Sequence, residues 1–112
     1  MEKPELGKTS TGIQPNVAAL LCYAAGWVTG LIFYLIEKEN KFVRFHAFQS
    51  IVVFGALTVL PIILAVIPII GWTLLPIVYL AEFALWIILM IKAYQGEKLK
   101  LPVAGDLAEK NS

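Results

Sequence analysis

Long apolar blocks separated by short polar stretches organise this chain. From Val17 to Ile36 only Gly26, Thr29 and Gly30 fall outside the apolar set. At about 1.5 Å per helical residue that block reaches about 30 Å, the thickness of a bilayer's hydrocarbon core. Five polar residues follow, Glu37, Lys38, Glu39, Asn40 and Lys41, and mark an exit from lipid. The next apolar region, Ile51 to Ile91, contains a single charge, Glu82, and is twice as long as one crossing requires. It predicts a helical hairpin broken at Pro68 to Trp72, with Gly71 free to take a positive φ and Trp72 suited to a membrane interface. Tyr94, Lys92 and Gly96 supply an interfacial ring, a cation for the helix C-terminus and a C-cap.

The expectation is therefore an all-α transmembrane bundle with three spans, at about 17–36, 51–70 and 72–93. The blocks are apolar on every side, whereas a membrane strand alternates, and backbone groups in lipid must be bonded within the segment. The organisation expected around them is a polar flexible leader at 1–16, one membrane domain at 17–95 and a polar cytoplasmic tail at 96–112. The leader mixes Glu2 and Glu5 with Lys3 and Lys8, unlike a secretory signal, so the first block reads as a retained span. Asn16 stands where an N-cap would start it. Three crossings put Lys3 and Lys8 on one side and Lys38, Lys41, Arg44, Lys92, Lys98, Lys100 and Lys110 on the other. The excess of cations on the cytoplasmic side of membrane proteins then predicts a cell-membrane protein with its N-terminus outside and its C-terminus inside.

Composition narrows the chemistry. With 112 residues, 59% hydrophobic and 15% charged, one membrane domain is the reading. A net charge of +1 lacks the concentrated basic face that nucleic acid requires. Cys22 and His46 are each the sole residue of their type, which excludes an internal disulfide and gives no multidentate metal set. No nucleophile–base pair, glycine-rich phosphate loop or carboxylate pair is present, so no enzyme activity, metal or cofactor is expected.

Four features remain as candidates. Ala18, Cys22, Gly26 and Gly30 recur every four residues and form a small-residue stripe that permits close helix packing, either within the molecule or with a second copy or another membrane protein. Glu82 falls near the midplane of its span, where ionisable groups are costly. Its two readings are a proton or cation relay, and a carboxyl hydrogen-bonded to Thr29, Thr58, Tyr23 or a backbone carbonyl. Pro61 removes the helical bond to Leu57 and predicts a kink. The segment from Asn40 to Ser50, NKFVRFHAFQS, reads as an interfacial helix at about 41–50 leading into the second span. On it Glu39, His46, Gln49 and Ser50 share one side, while Arg44, Ala47 and Ile51 share the other. Arg44 would snorkel to lipid phosphate.

The stretch STGIQPNVAALLCYAAGWVTGLIFYLIEKENKFVRFHAFQS, followed by the proline-containing hairpin and KAYQGEKLKLPVAGD, resembles a family of uncharacterised small bacterial and archaeal membrane proteins. That family is grouped in the Tic-twenty-like superfamily, with the chloroplast inner-envelope protein-import component as a remote relative. The resemblance implies membrane architecture over nearly the whole chain and, more remotely, protein transport. The functional expectation is a non-enzymatic membrane component acting through helix–helix contacts, in protein translocation or membrane-protein assembly. The alternatives are a small proton or cation pathway centred on Glu82, and lipid binding through Arg44 and His46. The bilayer is the expected partner.

Overall fold

The computed structural model describes residues 7–112, so the first part of the leader lies outside the described residues. Five helices and no strand appear among them: α1 (Pro15–Ala24), α2 (Trp27–Ile36), α3 (Lys41–Ala65), α4 (Ile70–Tyr94) and α5 (Ala104–Asn111). The molecule is elongated, 50 × 23 × 21 Å. Its length is set by α3 and α4, the two helices long and apolar enough to cross a membrane.

The first apolar block is not one span, which corrects the three-span expectation. It breaks at Ala25 and Gly26 into two helices of 10 residues each, each about 15 Å long and half of what a crossing needs. Gly26 has φ 66° and ψ −139°, a conformation that a residue with a Cβ adopts only under strain. Thr29 stabilises the break: its hydroxyl accepts from the Ala25 N–H at 3.1 Å and lies 3.2 Å from the Cys22 carbonyl and 3.3 Å from that of Gly26. The chain then doubles back. Ala18 from α1 and Phe33 from α2 pack in one cluster with Val43 and Ala47 of α3, while Gly26 at the tip reaches Phe54. The two helices thus form a short hairpin beside the first half of α3.

A second correction concerns residues 41–50. They form no separate interfacial helix but the first turns of α3, which runs unbroken to Ala65 and contains Pro61. Asn40 caps it, its side-chain oxygen accepting from the Val43 N–H at 3.0 Å. The bend between α3 and α4 is also placed differently. Ile69, at φ 67°, takes the positive φ expected of Gly71, and Gly71 sits inside α4. Glycine is required there for close approach, because a Cβ would run into the Leu64 carbonyl.

The third correction is to the sides on which the termini lie. The Ser10 N–H donates to the Glu37 carboxylate at 2.8 Å, and Asn16 Nδ2 donates to the Tyr94 carbonyl at 3.1 Å. Described leader, hairpin ends and tail therefore gather at one end of the molecule, with the α3–α4 bend at the other. The tail folds back as α5 against α3.

Candidate functional site

Two polar sites emerge, one at the charged end and one deep between α3 and α4. At the charged end the Glu37 side chain is fully buried and carries no ion pair among the described residues. Its oxygens accept from the backbone N–H groups of Ser10, Glu39 and Asn40 at 2.8 to 3.1 Å. Burial alone would raise its pKa. The backbone N–H groups of Ser10 and Asn40, the Ser10 side chain and the Glu39 N–H outweigh that effect and hold it below the usual carboxylate range. Sequence reasoning treated Glu37 only as part of a polar exit, and the neighbouring N-cap Asn40 was the available signal.

Arg44 does not reach outward to lipid. Its guanidinium donates to the Tyr34 and Glu37 carbonyls at 3.0 and 2.7 Å and to Ser112 at 3.2 Å, and it stacks 4.2 Å from the Tyr34 ring centroid. It neutralises the C-terminal end of α2. His46 is fully buried. Its Nε2 lies 3.1 Å from the Glu97 carbonyl, which can only accept, so Nε2 carries the hydrogen. Nδ1 then accepts from the Tyr23 hydroxyl at 2.7 Å. Gln49 donates to the Tyr23 oxygen at 3.0 Å and to the Leu99 carbonyl at 2.9 Å, and accepts from the Leu101 N–H at 3.0 Å. Ser50 donates to the Gly26 carbonyl at 2.9 Å. This constellation grips the tail and the hairpin tip, and both ring nitrogens of His46 are spent within the chain.

The small-residue stripe faces inward as well. Cys22 lies 3.7 Å from the Val43 carbonyl, Ala18 packs beside it, and a Cβ on Gly30 would come within 2.9 Å of the Ala47 carbonyl and Ser50. Its four members contact α3 of the same chain or the cluster around it.

The deep site is centred on Glu82. None of its expected partners is used on it: Thr29 bonds at the helix break, Tyr23 bonds His46 and Gln49, and Thr58 donates to the Phe54 carbonyl at 2.7 Å. One carboxyl oxygen, Oε1, is buried without a hydrogen-bond partner. Two cavities of about 400 Å³ each meet at Thr58, Tyr79 and Glu82. One extends beneath the hairpin tip, along Gly26, Trp27 and Trp86. The other follows α3 past Leu57 and Pro61. No cluster of three metal-ligating side chains occurs among the described residues.

Residues 12–108 match the model of the MamF/MmsF family, described as a magnetosome magnetite crystal formation protein family. The chain belongs to this family. Among similar proteins, the UPF0132 membrane protein MJ1443 of Methanocaldococcus jannaschii is 59% identical over 107 residues, 96% of each chain. A UPF0132 membrane protein of Archaeoglobus fulgidus is 50% identical over 97 residues, covering 87% of this chain and 94% of its own. A second M. jannaschii relative, MJ1527, is 48% identical over 99 residues, 88% of this chain and 71% of the relative. No solved structure matches. The comparisons support the resemblance to small archaeal membrane proteins, and lend none to the Tic-twenty-like grouping or to protein transport. This MamF/MmsF family member is a membrane protein.

Proposed function

We propose that this protein is an intramembrane ion-handling component whose working group is Glu82, a carboxyl site for a proton or small cation. One observation carries the reading: Glu82, one of whose carboxyl oxygens is buried without a hydrogen-bond partner, lines two cavities beside the two membrane-length helices. Between Phe45 and Ile91 the chain has no Lys or Arg, so no fixed cation of its own helices neutralises Glu82. Ionisable groups kept inside spans despite their cost mark ion and proton pathways. Contact through the small-residue stripe is the weaker reading, because that stripe is already occupied within the molecule. The magnetite formation named for the family concerns a mineral whose growth depends on dissolved ions, which is compatible with ion handling at a membrane.

The same reading includes an orientation. Lys8, Lys38, Lys41, Arg44, Lys92, Lys98, Lys100 and Lys110 lie at the end that holds the described leader and the tail, whereas 66–72 carries no charge. The cytoplasmic preference of Lys and Arg then puts both termini in the cytoplasm, with α3 and α4 as crossings and the α1–α2 hairpin entering and leaving from the same side. Purified protein in liposomes should show a pH- or cation-driven flux that Glu82→Gln abolishes. Absence of flux in the wild type overturns the proposal.

A further inference from the structure

Two oxygens beside Glu82, those of Thr58 and Leu57, are presented as acceptors. The Thr58 hydroxyl commits its hydrogen to the Phe54 carbonyl at 2.7 Å, so only its lone pairs are left for the cavity. Leu57 lines the same space, and its carbonyl receives no helical hydrogen bond, because the residue four positions on is Pro61, which has no N–H. Trp86 Nε1–H, on α4 beside the first cavity, is spent on the Tyr23 carbonyl at 2.7 Å. Tyr79 stands at the rim shared by both cavities and can turn a phenolic oxygen inward. A carboxylate, a hydroxyl lone pair and a freed carbonyl form a hard-oxygen set, the ligand chemistry of alkali and alkaline-earth ions rather than of thiolate- or imidazole-seeking metals.

Charge then selects within that class. The cavities contain one carboxylate, which neutralises one positive charge; a divalent ion there would leave a net charge in hydrocarbon, which is costly. We infer that the Glu82 cavity is a binding site for a dehydrated alkali cation of sodium type, held by Glu82, Thr58 and the Leu57 carbonyl that Pro61 sets free. This rests on the proposed function and specifies its ligand. Pro61 is then a ligand-exposing residue, and the half-helix tip at Gly26 lines the adjoining cavity.

Two tryptophans, Trp27 and Trp86, line the cavity beneath the tip and report on it without added labels. Protein in nanodiscs is titrated with sodium chloride against choline chloride at matched ionic strength, with intrinsic fluorescence as the signal. A saturable change specific to sodium is expected, lost in Glu82→Gln. Thr58→Val removes one ligand, and Pro61→Ala returns an N–H to the Leu57 carbonyl; each should weaken the apparent affinity about tenfold or more. Identical curves in sodium and choline overturn the inference, as does a sodium response unchanged in both Thr58→Val and Pro61→Ala. Thr58→Val decides the question if Pro61→Ala fails to fold. A Glu82-dependent proton flux without any sodium response removes the alkali site and leaves the proposed function standing.

Discussion

At the charged end, Glu37 joins the leader, the C-terminal end of α2 and the start of α3 through hydrogen bonds alone. Its folded pKa is depressed, so the stability it contributes is fully present above the unfolded carboxyl value, about 4.3. That contribution is lost as pH falls through the folded value. Thermal unfolding in detergent should accordingly show a loss of midpoint below about pH 4.5 in the wild type. Glu37→Gln, which replaces a charged acceptor, should be destabilised by about 1.5 to 3 kcal/mol at neutral pH and be less sensitive to acid; an acid response equal to wild type would remove Glu37 from this role. His46 offers a second test. His46→Leu leaves the hydrogen of the Tyr23 hydroxyl without its acceptor and the Glu97 carbonyl without its donor, a loss of about 1 to 3 kcal/mol. The expected signature is faster proteolysis after Glu97, while a variant as resistant as wild type would show that the histidine does not hold the tail.

The half-length pair α1 and α2 depends on a few backbone positions. Gly26 sits at a positive φ, so Gly26→Ala should cost about 1 to 3 kcal/mol through strain alone. At Gly30, a side chain meets the Ala47 carbonyl and Ser50 at 2.9 Å; Gly30→Val should destabilise by about 1 to 3 kcal/mol by overpacking. Both are measurable as melting shifts in detergent, and a neutral Gly30→Val would mean that α2 is not seated on α3 as described. These positions were legible in the sequence as a small-residue stripe with GxxxG spacing. What the stripe could not convey is that Gly26 ends one helix instead of lining it. An apolar run of 20 residues satisfies the hydropathy of a span whether or not it is folded in half, since both arrangements bury the same side chains in the same medium.

For the molecule as a whole, the proposed topology puts the described leader and the tail on one side of the membrane and the α3–α4 bend on the other. Single cysteines introduced at Ser10, Ser112 and Ile69, in a Cys22→Ala background, should label with a membrane-impermeant reagent in two classes, Ser10 with Ser112 on one side and Ile69 apart. Ser10 labelling with Ile69 would restore a three-crossing arrangement. Removing residues 97–112 should lower the melting temperature, because Arg44, His46 and Gln49 each bond that segment and would be left with buried polar atoms unmet. An unchanged melting temperature would show that the tail contributes little to the fold.

By itself the sequence determined the membrane setting, the helical class, the hairpin of α3 and α4, and the presence of one carboxyl in an otherwise uncharged stretch. Each of these follows from local composition and from the rule that backbone groups in lipid must be satisfied within the segment. Only the tertiary structure decided that the first block folds back on itself, that Arg44, His46 and Gln49 hold the chain's own backbone, and that Glu82 faces cavities with an oxygen unpartnered. For Asn16 and Gln49 the outcome depends on which of several available backbone groups each side chain meets, the Tyr94 carbonyl for Asn16 and the Leu99 carbonyl and Leu101 N–H for Gln49. The partners lie 50 or more residues away along the chain, beyond the reach of any periodicity.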